Sequence, residues 1–478
     1  MQFVDDDLKS IQEARILVES ARDAQFLLKE YDQVTIDCML KQMIDNVEAA
    51  LLELVSFELA MTGKGNEVDK LHLGEKFLTQ LKIALSTKVI GNLASDDQKI
   101  KKIGVPLGVV AVILPGENII LNTLFTLLSG LKAGNAVILI PQEKTANIVA
   151  KLFHFLTPEQ IGLPKFSYSF MENTTSEGVK TIMSHDSVAL VINIDAPDYF
   201  EGPNKIKPIL YGANGSTPVF IERTANVYEA CEAIISSRSF DNGLLPASEQ
   251  FVIAEGVIAK EAKAMMIQAG AHFMSAKEEE QLLSRLFINQ ETNPLVVGKD
   301  AKKIAALAGF SVSEKTKVLV SEQPYILEEN PFTTALKCPI LTFYLESDWI
   351  HACDKCIQLL KEKRNGHTLA IHSHDQRIIE EFALKKPIGR MIVNAGASLA
   401  GIGLESTLPL SLVLGGMTTG RGIAAQNITA QDLRYVREIG YVNDKVSCSS
   451  SVEKTEKSIG LVDEQALLEK FLQKIIEQ

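Results

Sequence analysis

Residues 106–116 read PLGVVAVILPG and residues 135–142 read NAVILIPQ. Both are short β-branched runs closed by Gly or Pro, without polar alternation, the pattern of strands buried on both faces of a parallel sheet. Between them LNTLFTLLSGLKAG (121–134) has the length and composition of a helical crossover. The unit recurs outward. SVALVINID (187–195), STPVFIERT (216–224) and EQFVIAEG (249–256) read as strands, and NVYEACEAIISSRSF (226–240) reads as a helix. A second series begins near Ile258 and includes KVLVSEQ (317–323), PILTFYLE (339–346), HTLAIHSHD (367–375) and GRMIVNAG (389–396). Strands alternating with helices predict an α/β fold with parallel sheets covered on both faces. The simplest partition is two α/β lobes, residues 1–238 and 239–420, the first closing near Arg238.

The flanks differ in period. From Leu8 to about Ile90 apolar residues recur at three and four, as in Met39, Met43, Val47, Leu51 and Leu54, so a helical layer precedes the first lobe. It ends at GNLASDD (91–97). At the other end NDKVSCSSSVEKTEK (443–457) is polar and Ser-rich, which predicts a flexible linker over 443–460. Then LVDEQALLEKFLQKIIEQ (461–478) sets Leu468, Phe471, Leu472, Ile475 and Ile476 on one stripe. Such an amphipathic helix either docks on a partner or folds back on its own body.

Composition narrows the function classes. The 478 residues are 46% hydrophobic and 23% charged, enough to bury a large core, and the formal net charge of −12 repels phosphate backbones and anionic lipid. Nucleic acid and membrane surface are therefore poor partners. No run of 18 apolar residues is present, and the start MQFVDDDLKS is acidic where a targeting peptide would be basic, so the expected location is cytoplasmic. Six Cys spread through the chain predict reduced thiols.

The run SFDNGLLPASEQFV (239–252) resembles the catalytic loop of the CoA-acylating aldehyde dehydrogenases. These include the aldehyde half of the bifunctional alcohol/aldehyde enzymes and the ethanolamine- and propanediol-utilisation enzymes. The resemblance runs from Leu8 to about Val442, with PLGVVAVILPGEN, GSTPVFIERTANV, AGFSV, NGHT and IVNAGAS in order. It implies an aldehyde dehydrogenase-like fold with NAD and CoA as cofactors, and an oligomerisation arm over 421–442 that makes a homodimer or larger assembly. In this family a Cys thiolate attacks the aldehyde, and an Asn amide and the nucleophile's own N–H hold the oxyanion. Hydride then passes to nicotinamide and CoA takes the acyl group.

The chain departs from that pattern where the chemistry sits. The family loop reads DNG, two apolar residues, Cys, then ASEQ; here Pro246 stands at the nucleophile's position. Proline has neither a nucleophile nor a backbone N–H, so two catalytic elements go together. Asn118 matches the position of the family's other oxyanion donor, and a structural role, bonding its own loop, is its expected one. On the cofactor side, Pro141 falls at a family cofactor position, while Asn193, Ile194, Asp195 and Ala196 replace a Gly-rich turn. Asp195 would set a negative charge against pyrophosphate, and Ala335 stands where the family holds a ribose with Glu. NAD binding is therefore expected to be impaired.

Other groups have plainer readings. His367 in NGHT matches a position near the family site, yet orienting backbone is its expected role. Cys353 and Cys356 lie on a helical stretch without a second ligand pair, so neither zinc binding nor a redox function is expected. Cys338 is expected to pack, with a relocated nucleophile as its alternative. TGRGIAAQ (419–426) has no strand leading into it and reads as a Gly-rich turn. These readings favour a catalytically silent family member acting as a structural or interaction subunit. An active enzyme with another nucleophile, and a CoA or nucleotide sensor built around Pro141 and Asn118, are the alternatives. The tail resembles the short amphipathic helices that carry related enzymes into bacterial microcompartments, which adds a shell or cargo protein as a partner.

Overall fold

The computed structural model describes residues 5–93, 100–194, 207–212, 215–289, 291–326, 331–361 and 366–441. Asp195, Ala196, the linker 443–460 and the helix 461–478 lie outside the described residues. The helical layer consists of Asp6–Leu28, Gln33–Ala49, Leu51–Thr62 and Glu67–Ala84. Asp5, Asp32 and Asn66 start three of these by accepting first-turn N–H groups with their side chains. The stripes Ile36, Leu40, Met43, Val47 and Leu73, Phe77, Leu81 join one core with the crossover helix Ile119–Lys132, which is buried at every position.

Two parallel sheets follow. In the first, Tyr168–Phe170, Ala136–Ile140, Val109–Ile113, Val188–Ile194 and Ile209–Gly212 lie in that order. The chain reverses its direction of progress about Val109–Ile113, so the strand ends at Ile113 and Ile194 flank the switch point where α/β sheets open a crevice. The second runs Ala271–Phe273, Val318–Glu322, Ile340–Glu346, Glu249–Glu255, Thr217–Ile221, Thr368–His372, Arg390–Val393. Thr217–Ile221 pairs with Glu249–Glu255, and helix Val227–Ser239 packs on the second sheet's apolar face. The sheets thus divide before Thr217, earlier than the Arg238 expected, because a strand joins the sheet that pairs its backbone and not the one nearest in sequence.

The segment read as an arm has partners within its own chain. Arg434–Gly440 pairs antiparallel with Ile100–Pro106, which also pairs with Gly91–Leu93. The Gly-rich turn is a packing device. A Cβ on Gly422, which has φ +77°, would lie 3.0 Å from the Ile209 carbonyl and from the Tyr211 amide. It therefore seats the turn on the edge strand of the first sheet.

One buried ionic cluster joins the helical layer to both lobes. Glu58 accepts the Ile119 and Ile120 N–H groups at 3.3 and 3.0 Å, capping the crossover helix from a neighbouring helix. Lys70 lies 3.6 Å from Glu58 and 2.9 Å from Asp241 of the DNG loop. Burial alone would lower the Lys70 amine; the Asp241 and Glu58 carboxylates outweigh it and hold the amine above its ordinary range. Lys70→Met would leave two carboxylates buried without their cation, at a cost of about 3–5 kcal/mol. Urea unfolding should show that loss, and a change within about 0.5 kcal/mol, typical of an exposed site, would refute it.

Candidate active site

The backbone dictates the DNG sequence. Asp241, Asn242 and Gly243 have φ of 45°, 55° and 76°, the left-handed region that Asp, Asn and Gly tolerate best. Gly243 is further constrained, since a Cβ there would sit 3.0 Å from the Cys338 carbonyl group. Asn66 N donates to Asp241 Oδ1 at 3.1 Å, and Asp69 Oδ2 accepts Asp241 N at 2.8 Å, so the helical layer grips the loop by side chain and backbone. Asn242 Nδ2 reaches the Gly298 carbonyl at 2.9 Å.

Beyond this grip the loop turns at Leu245 to Ser248. Ser248 N donates to the Leu245 carbonyl at 3.2 Å, which closes a β-turn with Pro246 at its second position, where a fixed φ near −65° favours proline. Pro246 is half-buried, and its carbonyl accepts Gly215 N at 3.1 Å. Ala247 is packed on Gly401, where a Cβ would lie 2.5 Å away. The proline fits its turn, so the loop keeps its shape. Its nitrogen carries no hydrogen and can donate no hydrogen bond.

Asn118 is joined to the DNG loop through Lys70. It has φ 47° and ψ 47°, directly before helix Ile119–Lys132. Lys70 Nζ donates to its Oδ1. Ammonium only donates, so the amide oxygen must face Lys70 and the amide nitrogen is the end turned away. Three of the six non-glycine residues with positive φ among the described residues are Asn118, Asp241 and Asn242. Strained backbone collects where geometry is over-determined, and one lysine binds two of these three residues.

The site lies between the carboxyl edge of the first sheet and the amino edge of the second. Ile340, Glu249, Thr217 and Thr368 begin four consecutive strands of the second sheet. Ala335, Pro246, Gly215 and His367 precede those four strands along one edge. Lys337 Nζ crosses to Glu117 Oε2 at 2.6 Å, and Lys64 binds Glu117 Oε1 at 2.9 Å. Burial would raise the Glu117 carboxyl, but the two ammonium groups hold it down at about 2. Gln250 clamps the Ala335 loop, donating to the Phe332 and Thr334 carbonyls and accepting Leu336 N. Glu249 anchors the strand after Pro246 by accepting Ser237 Oγ and Ala397 N, and burial pushes its carboxyl up to about 7.

His367 is buried, and its Nδ1 lies 2.6 Å from Thr368 Oγ1 and 3.1 Å from Arg390 Nη1. Arg390 also bonds Asn427 and the Gly415 and Ala425 carbonyls, so this cluster ties the Gly-rich turn to the second sheet. Counting two strand spacings, His367 stands about 10 Å along the edge from the Pro246 loop. Cys338 is fully buried and its thiol is pushed up to about 12, unsuited to attack. Pro141 ends strand Ala136–Ile140 beside the crevice, and Gln142 next to it lies against Gly116, 2.9 Å from where a Cβ would be. Asn193 closes the other side, paired with Ile113 and Tyr211. Asp195 lies outside the described residues.

Lys70, Glu58, Asp241 and Glu117 were not singled out from the sequence. The signal for two of them was readable: Lys70 shares the stripe of Leu73, Phe77 and Leu81, and Glu58 that of Leu51, Leu54 and Val55. A charge in the apolar phase of a helix needs a buried partner.

Comparison with known proteins bears on the fold and its chemistry. The model of the Aldehyde dehydrogenase family matches residues 8–322. The bifunctional aldehyde-alcohol dehydrogenase AdhE of Escherichia coli K12 is 27% identical over 436 residues, covering 89% of this chain and 49% of the relative. The chain therefore spans about half the length of that curated relative. The succinate-semialdehyde dehydrogenase (acetylating) of Clostridium kluyveri is 27% identical over 447 residues, 91% of this chain and 97% of the relative. A probable aldehyde dehydrogenase from Listeria monocytogenes EGD-e superposes with a TM-score of 0.87 at 34% identity, over 92% of this chain and 98% of that one. The chain belongs to the aldehyde dehydrogenase family and resembles its acylating members.

Proposed function

We propose that this chain is a catalytically silent acylating aldehyde dehydrogenase that serves as an interaction subunit. The observation that carries the proposal is Pro246, seated in a turn that suits proline, within a loop whose left-handed DNG frame is intact. The proline removes a thiolate, whose loss from a concerted site costs up to about 10⁶ in rate. It also removes one oxyanion donor, worth about 2.7–4 kcal/mol. The frame that would surround them is retained, which fits loss of chemistry under continued selection of the shape.

The cofactor side supports the same reading. NAD needs a carboxylate for a ribose and bare backbone for its pyrophosphate. Ala335, half-buried in a loop held by Gln250, presents a methyl group, and the Gln142 side chain lies against Gly116 beside the crevice. These residues do not fit the dinucleotide. We assign the remaining role to assembly. The exposed strand Arg434–Gly440 carries Tyr435 and Val436, 56% and 46% exposed, apolar surface that a second copy would cover. The amphipathic stripe of Leu468, Phe471, Leu472, Ile475 and Ile476 would take a microcompartment shell or cargo protein as partner, by insertion of its apolar face into a groove.

Three outcomes test this function. With acetaldehyde or propionaldehyde, NAD and CoA, purified protein should form no NADH above background, and Pro246→Cys alone should restore only a small fraction of family turnover. Robust wild-type turnover would overturn the silent reading; full restoration would overturn the cofactor argument. Calorimetry should detect no NAD affinity tighter than about millimolar, and micromolar binding would contradict the misfit. In assembly, light scattering should give a dimer or larger, and the fluorescently tagged full chain should enter microcompartment shells in cells that make them. Leu472→Glu should leave that chain diffuse. A micromolar monomer, or recruitment unchanged by Leu472→Glu, would refute the corresponding part.

A further inference from the structure

We infer that Cys353 and Lys386 form an oxidative cross-linking site, a sulfur–oxygen–nitrogen bridge between two helices of the second lobe. Cys353 lies on helix Trp349–Lys361, and Lys386 caps helix Gln376–Lys385. Both are buried, at 6% and 7% exposure. Lys386 Nζ donates to Cys353 Sγ and stands 4.1 Å from the centroid of the Phe382 ring. A long, flexible lysine that usually reaches water is here turned inward, with its nitrogen on a sulfur, in a core that includes Phe220, Leu359, Leu360 and Phe382. Nitrogen and sulfur are already in contact, so bridging them requires little reorganisation.

The obvious competitor is a disulfide with Cys356, three residues along the same helix. Side chains at that spacing have Cβ atoms about 5–6 Å apart, whereas a disulfide needs about 3.5–4.5 Å, so that bond would have to distort the helix. Burial also pushes the Cys356 thiol up to about 12, which leaves it a poor nucleophile toward oxidised Cys353. The amine of Lys386 is the group in place.

The oxidant is a peroxide. Two hydrogen peroxide molecules accept four electrons, two from the sulfur and two from the amine nitrogen. The S–H bond and one N–H bond break, and an S–O and an O–N bond form. One peroxide oxygen stays in the bridge; the other three leave as water with all six hydrogens. Thiol reduction reverses the link. Its loop closes residues 33 apart in sequence, so the bridged chain should unfold at a temperature several degrees higher than the reduced chain.

The test treats the full chain with hydrogen peroxide and maps its tryptic peptides by mass. The expected product joins the peptide holding Cys353 to the one holding Lys386, with one oxygen gained and two hydrogens lost, and dithiothreitol separates them. Cys356→Ser should retain the product; Cys353→Ser and Lys386→Arg should abolish it together with the thermal shift. Recovery of Cys353 unmodified, as sulfinic or sulfonic acid, in a disulfide with Cys356, or joined to Lys386 without oxygen would overturn the inference. The wild-type map decides the matter even if a variant folds poorly.

Discussion

A single ammonium group, that of Lys70, sets the geometry on which the site depends. It stands among Glu58, Asp241 and Asn118, which belong to a helix of the N-terminal layer, the loop before a second-lobe strand and the end of a first-lobe loop. Each of these groups also acts elsewhere. Glu58 caps the crossover helix, Asp241 holds the turn into the Pro246 loop, and Asn118 aims an amide. In apolar surroundings a charge shared this way tolerates little displacement, because any separation leaves an uncompensated carboxylate or ammonium. The relative position of the two lobes at the crevice is therefore tied to this side chain and to the Lys337–Glu117 pair, as well as to the apolar packing around them.

This explains how the turn at position 246 can hold proline without collapse of its surroundings. The grip on the loop comes from Asp241, Asn242 and Gly243 on one side and from Glu249 and Gln250 on the other. None of those contacts involves the side chain at 246. The turn itself needs only a residue content with φ near −65°, and proline supplies that better than most. Chemistry and architecture are separable here because different residues carry them.

Much of the fold was legible in sequence. Nine of the twelve strands of the two sheets announced themselves as β-branched runs bounded by Gly, Pro and Asn, and the helical layer by its period; the short edge strands Tyr168–Phe170, Ile209–Gly212 and Ala271–Phe273 did not, because three or four residues carry too little pattern. The division between sheets was not legible at Thr217–Ile221, since a buried parallel strand carries no mark of which neighbour it pairs with. Pro246, Asn118 and Ala335 were proposed through resemblance to a motif; periodicity could not have pointed to them. Lys70 and Glu58 were visible as charges in apolar phase, but their partners were not, because the partners lie 171 residues apart in one case and 61 in another. His367 matched a motif position near the family site and was expected to orient backbone; its bonds to Thr368 and Arg390 make it part of a hub that seats the Gly-rich turn.

The small antiparallel sheet has a bearing on how the chain comes together in time. Ile100–Pro106 emerges early in synthesis, whereas Arg434–Gly440 emerges after both lobes have been made. Until then the early strand has only Gly91–Leu93 beside it and one edge unsatisfied. Contacts of such sequence separation close late and slow the search, since the loop entropy must be overcome before they add stability. Part of the first lobe's apolar core also comes late, from Ile402, Leu412, Val413, Ile428 and Leu433, so the nascent chain carries an open core and an adhesive edge through most of its translation. No earlier portion of the chain can close that seam.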